Sequence, residues 1–442
     1  MNPTPGKPPS RPRPGPAVAL GLVILCIEGY DLFILGAVGP SLLSHPEWDA
    51  TKSTLGLLGS LTALGMPLGS IAAGWAGDLY GRRLPMVISL AWLSLSMLLS
   101  AAADGLALFG ATRFLTGMGI GALIPLVTAY VSDAADPARH SLQVGTATTG
   151  LAIGGILTGV VGRTLLPEWD FRTLFLFGAV PLLLIPVVWR LVPAVVPDHP
   201  TPDRPAKALQ EAGTETTGTE TTGTEPYESG NRVRRLLAPE YRRSTLLFWA
   251  ATFAGLVIVY GASTWLPTLM VDNGYDLGSS LEFSIAFNAG AVIGTLGAAL
   301  VADRGLLKSA TIVGFLLAAV AMITLSTPQP RPLLLLVSAV AGFGALGTQA
   351  LVNIYVAHAH PPRLRGTALG FSLGVGRVGA IAGPSYLAAV TVLISSSKAG
   401  FYAFVVPALL GAVLIGLLRP GRRPSAPTPA GASSTAEAPL AP

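Results

Sequence analysis

Gly74-Trp75-Ala76-Gly77-Asp78-Leu79-Tyr80-Gly81-Arg82-Arg83 lies between two long apolar runs and holds three charges and three glycines in ten residues. The run before it ends near Gly74 and the next starts at Leu84, so the stretch is too short to leave a membrane surface. It predicts a tight turn joining two antiparallel spans. Gly77 and Gly81 allow close backbone approach, Asp78 is placed to bond exposed amides or an arginine, and Arg82 and Arg83 hold this end on the cytoplasmic side.

Working outward, the rest of the 442-residue chain agrees: 51% of it is hydrophobic and only 12% charged, a balance that no water-soluble core hides. A window of about 19 residues places spans at 17–39, 54–76, 84–103, 107–131, 142–165 and 171–192. A second set falls at 245–270, 281–302, 309–327, 332–357, 366–391 and 400–418. The expected organisation is an N-terminal tail (1–16), a six-helix bundle (17–192), a flexible linker (193–243), a second six-helix bundle (244–418) and a C-terminal tail (419–442). The linker carries the low-complexity run Gly213-Thr214-Glu215-Thr216-Thr217-Gly218 and has too little apolar surface to form a core. The first apolar run is about twenty residues long, contains Glu28 and Asp31 and has no clear cleavage site after it, so it reads as a retained helix and not a signal peptide.

The net charge of +5 sits in short loops and not on one face, which speaks for topology and against nucleic acid. Lys7, Arg11, Arg13, Arg82, Arg83, Arg139, Arg304, Lys308, Arg363, Arg365 and Arg419 all fall on one side, predicting cytoplasmic termini in a multi-pass plasma or inner membrane protein. The single cysteine, Cys26, excludes an internal disulfide or a cysteine-based metal site. The halves echo each other: Asp78 and Asp303, Pro137-Ala138-Arg139 and Pro361-Pro362-Arg363, and Pro40 and Pro267 recur at a near-constant offset. Asp303-Arg304-Gly305 is a degraded copy of the first connector.

Charges inside the apolar runs carry the functional reading. Glu28 and Asp31 stand three positions apart on one helical face. Each carboxylate near the bilayer centre costs roughly 2.5 to 3.5 kcal/mol on the insertion scale, so the pair is expected to face a polar interior and to exchange a proton. Static pairing with an intramembrane arginine is the alternative. Arg113, beyond easy snorkelling, requires an internal partner, and Glu28 or Asp31 is the expected one. Arg377 sits about 16 Å along its helix at 1.5 Å per residue, near the midplane. Gln349 and Asn353 form an i, i+4 polar stripe suited to a substrate hydroxyl or to an interhelical bond, and Tyr30, Tyr260 and Trp265 offer aromatic walls. Gly117, Gly119 and Gly121, like Gly150, Gly154, Gly155 and Gly159, read as packing positions. Asp133 and Arg139 read as gate or topology residues, together with Gly74, Asp78, Gly81, Arg82, Arg83, Asp303 and Arg304.

Gly-x-x-x-Asp-x-x-Gly-Arg-Arg from Gly74 to Arg83 resembles the signature between the second and third helices of the major facilitator superfamily. Glu28-Gly29-Tyr30-Asp31, with Gly36 beyond it, is similar to the Asp-Gly-x-Asp motif of the aromatic acid/proton symporters, departing by a glutamate at the first acidic position. Arg113–Gly121, Val259–Pro267 and Gly374–Gly379 resemble the same family. The resemblance implies an all-α membrane protein of twelve helices in two pseudo-symmetric halves, with the substrate held between them at the midplane. It implies import of a small aromatic carboxylate, hydroxybenzoate-like, with protons by alternating access. A proton-coupled drug or sugar carrier, and a non-transporting membrane sensor, are the competing readings. There is no Ser-His-Asp, zinc or Gly-x-x-x-x-Gly-Lys constellation, so no enzyme activity, metal or cofactor is expected and a gradient, not ATP, is the driving force. The partners expected are an organic anion, protons and the lipid bilayer, with no nucleic acid and no obligate protein partner.

Overall fold

The computed structural model describes residues 14–136, 139–193, 234–302, 306–361, 364–394, 396 and 398–418. Among them twelve helices are long and apolar enough to cross a membrane. We number these α1 (Pro14–Leu43), α2 (Lys52–Tyr80), α3 (Arg83–Ala101), α4 (Leu106–Ala134), α5 (His140–Thr148 continued by Gly150–Leu165) and α6 (Arg172–Leu191). The second six are α7 (Arg242–Asp272), α8 (Leu277–Ala302), α9 (Leu307–Leu325), α10 (Arg331–Ala359), α11 (Arg365–Leu393) and α12 (Ala399–Gly416). All twelve expected spans are present, most of them a few residues longer than hydropathy alone draws them. Most of the expected linker, and both tails, lie outside the described residues.

The ends follow local chemistry. Thr51 and Thr54 cap α2 reciprocally, each hydroxyl receiving the other's backbone N–H. Pro181 and Pro186 interrupt the hydrogen-bond ladder of α6, whose middle, Phe177–Leu184, tightens into a 3₁₀ helix. In α10, Phe343–Gly347 forms a π turn that lies against Gly294 of α8.

The connector departs from expectation. Residues 74–80 continue α2, and the turn is only Gly81-Arg82, with Gly81 at φ 72°. No strong helix breaker stands between Gly74 and Tyr80, and Gly77 packs against Leu126 of α4, so the helix persists until glycine takes the left-handed region. The α2/α4 crossing is a ladder of small residues: a Cβ on Gly65 or Gly69 would strike the α4 backbone, and one on Gly117 or Gly121 the α2 backbone.

The two groups of six meet along α1/α7, α2/α11 and α5/α8. A Cβ on Gly36 would collide with the Ser263 carbonyl, and Ser60 Oγ lies 2.6 Å from the Ile381 carbonyl oxygen and 2.7 Å from Ser385 Oγ. We call the side where α6 ends and α7 begins the linker side, and the opposite one the far side. Two ion pairs join the groups on the far side, Lys52 to Asp272 at 2.6 Å and Arg163 to Glu282 at 2.8 Å. Glu282 also pairs with Arg331 of α10. On the linker side nothing lies within 4 Å of where a Cβ would stand on Gly74, Gly145, Gly366, Gly370 or Gly374. The halves are thus closed against each other from mid-depth to the far side and stand apart on the linker side.

Candidate functional site

The charged residues of the apolar runs gather at mid-depth. Glu28 and Asp31 of α1 are buried, and none of their four carboxylate oxygens has a hydrogen-bond partner. Neither makes an ion pair with a described residue, although Arg377 attracts Glu28, and Arg113 attracts Asp31, through space. Two carboxylates one helical turn apart, without a counter-ion in contact, favour sharing a proton over carrying two charges.

Arg113 is not bonded to either carboxylate, contrary to the sequence expectation. Fully buried, it donates through Nη2 to Ser100 Oγ at 2.5 Å, Thr116 Oγ1 at 3.0 Å and Met97 Sδ at 3.3 Å. Its guanidinium lies 4.6 Å from the Phe175 ring centroid and 5.4 Å from that of Phe109. Hydroxyls and aromatic faces from α3, α4 and α6 therefore take the place of a carboxylate. Nε and Nη1 remain without partners.

Arg377, half-buried in α11, donates through Nη1 to Tyr260 Oη at 3.0 Å and to Met66 Sδ at 3.1 Å. Met66 belongs to the first six helices and Tyr260 and Arg377 to the second, so the contact crosses between the halves. A thioether is a weak acceptor, and the guanidinium keeps donors for a better one. Tyr260 lines a cavity of about 270 Å³ with Asp31, Gly59, Thr62, Ser263 and Thr264. Asp31 and Tyr260 thus share one cavity between the halves, and Arg377 joins it through the Tyr260 hydroxyl.

Other expected lining residues are placed elsewhere. The Tyr30 hydroxyl donates to the Leu174 carbonyl at 2.9 Å, fixing its ring inside the first half beside Phe177. Trp265 is buried and its indole N–H donates to the Pro384 carbonyl at 3.0 Å, tying α7 to α11. Gln349 Nε2 donates to Asn353 Oδ1 at 3.0 Å, so the polar stripe binds itself, while Gln349 Oε1 is buried without a partner near Gly255 of α7.

The expected gate residues brace the first half. Arg82 Nη1 lies 2.7 Å from Asp133 Oδ2, an ion pair by distance without hydrogen-bond alignment. Arg83 Nε donates to the Val192 carbonyl at 2.6 Å, with its guanidinium 5.4 Å from the Trp189 ring. These contacts tie the α2–α3 turn to α4 and α6, whereas the sequence reading has the connector latching the two halves together. Gly74 is open to one side and Arg139 is exposed. The side chain of Asp78, and Asp303 and Arg304 entirely, lie outside the described residues.

Sequence reasoning passes over Thr62, Ser263, Thr264 and Asn288. The hydroxyls are short and sit in otherwise apolar helices. Ser263 and Thr264 follow Tyr260 by three and four positions, which is the signal that places them on its face. Asn288 is the lone amide of α8, buried with Oδ1 unpartnered. Among the described residues no cluster of side chains suited to a metal occurs.

The family model described as Major Facilitator Superfamily matches residues 21–384 and 312–442. The chain is 34% identical over 410 residues to the gentisate transporter of Corynebacterium glutamicum, covering 91% of this chain and 87% of that protein. It is 30% identical over 418 residues to the benzoate transport protein of Acinetobacter baylyi, covering 92% and 89%. Among solved structures it resembles the D-xylose-proton symporter, with a TM-score of 0.72 at 17% identity over 92% of this chain and 98% of that one. A likeness at that identity speaks for the fold alone.

Proposed function

We propose that this chain, which belongs to the major facilitator superfamily and is a multi-pass membrane transporter, imports a small aromatic carboxylate together with protons by alternating access. The observation that carries the reading is the mid-depth group of Arg377, Glu28 and Asp31, none of them in an ion pair with a described residue. An arginine with donors to spare, half-buried between two helical halves, suits a carboxylate, which its planar fork grips through two parallel hydrogen bonds. The two bare carboxylates suit a proton that is taken up on one side and released on the other. The relatives named for gentisate and benzoate carry the same substrate class, and their likeness extends over the whole membrane part.

In this reading Arg377 and Tyr260 hold the substrate, Asp31 and Glu28 hold the proton, and Arg113 supplies a fixed positive field behind Asp31. The basic residues of the linker side put that side and both termini in the cytoplasm, so the arrangement of the halves corresponds to a carrier open inward. Proteoliposome uptake of labelled benzoates, with a sugar and a cationic dye as controls, tests the substrate class. Benzoates are expected to accumulate when the outside is acidic and to stop accumulating with a protonophore. Uptake of the sugar or the dye in their place contradicts the reading.

A further inference from the structure

A second cavity, of about 200 Å³, adjoins the first through Ser263 and is lined from both halves, by Thr158 and Gly155 of α5 and by Ser284 and Asn288 of α8. Asn288 is 1% exposed. Its Nδ2 donates to the Ser284 carbonyl at 2.9 Å, which fixes the orientation of the amide because a carbonyl accepts only from the nitrogen. Oδ1 is thereby left facing the cavity with no donor. The neighbouring hydroxyls do not supply one: Thr158 donates to the Tyr30 and Gly154 carbonyls, and Ser263 to that of Tyr260. Gly155 stands directly opposite, where a Cβ would collide with the amide. A buried acceptor left bare is costly, and almost all such groups in folded proteins find a partner.

We propose that Asn288 Oδ1 accepts a hydrogen bond from a ring hydroxyl of the carried aromatic acid, so that α8 reads hydroxylation of the ring while Arg377 reads its carboxylate. This rests on the reading of the substrate class above and adds a specificity residue to it. Tyr260 and Ser263 lie on one face of α7, and that face connects the Arg377 contact to the Asn288 cavity. The amide is an acceptor here and not a donor, so a hydroxyl is selected over fluorine or a methyl ether.

Equilibrium binding to the purified full chain tests the assignment, with benzoate, its three monohydroxy isomers and the matching fluorobenzoates as ligands. Wild type is expected to bind one hydroxy isomer about threefold to tenfold more tightly than benzoate and the corresponding fluoro compound, the span expected for one neutral hydrogen bond. Asn288→Leu and Asn288→Ala are expected to bring that ratio close to one while benzoate affinity changes little. Should neither variant fold, the hydroxy-to-fluoro ratio of wild type decides alone. No preference for any hydroxy isomer in wild type, as when a water supplies the missing donor, overturns the assignment, and so does a preference that survives both substitutions. If wild type binds no aromatic acid at all, the substrate reading falls with it; if it binds benzoate without the preference, only this assignment falls.

Discussion

Arg377 and Asp31 stand on different halves of the molecule, and their proposed roles separate by experiment. Losing one partner of a buried charge pair typically costs roughly 2 to 5 kcal/mol, and because Arg377 is half-buried the lower part of that range applies. Arg377→Ala is expected to weaken benzoate binding by about thirtyfold or more, with Arg377→Lys restoring only part of it and the uncharged amide of the same acid little affected. An equal loss for the acid and its amide would mean that Arg377 serves only to neutralise Glu28 or Asp31. Asp31→Asn is expected to abolish uptake driven by a pH gradient while leaving counterflow exchange partly intact. Gradient-driven uptake surviving in that variant would remove Asp31 from proton coupling. Both residues were legible in the sequence because a charge in an apolar run stands out at once. Their partners were not: the Tyr260 and Met66 contacts of Arg377, and the hydroxyl and aromatic cage of Arg113, are assembled from helices far apart in sequence.

Helices were the most legible level, since a membrane demands long apolar runs and every backbone group must be satisfied within the helix. What hydropathy does not register is the last two turns of α2, where polar and charged residues continue a helix that packs on α4. Pairings between helix ends are equally invisible to a window average, and the far side shows their consequence. Glu282 of α8, partly buried, takes Arg163 from the first half and Arg331 from the second. Partly buried charges in a network are screened less than isolated surface pairs. Glu282→Gln is therefore expected to loosen the far side. In a Cys26→Ala background, Thr268→Cys, whose position is buried on α7 beside Gly39, should react faster with an impermeant maleimide added outside when Glu282→Gln is also present. Equal rates with and without that change would show that the ion pairs do not hold this side closed.

For the whole molecule, two halves closed on one side and apart on the other define one end state of a carrier, and the substrate and proton sites fall where the halves meet. Alternating access needs each ligand to favour one arrangement over the other, because a ligand that binds both equally shifts nothing. An anion bridging Arg377 with groups of the first half, and a proton relieving the bare carboxylates, are differential interactions of that kind. The duplication of the halves was legible from Asp78 and Asp303 and from the recurring prolines, whereas which side is closed depends on contacts that no local pattern encodes. The most direct measurement is of coupled flux in proteoliposomes holding wild-type protein and an internal pH indicator, with hydroxybenzoate added outside and no initial pH difference. The expected result is acidification of the lumen that starts with the addition, scales with labelled substrate entering, and is absent in Asp31→Asn; substrate entry with no proton movement in wild type would contradict the account.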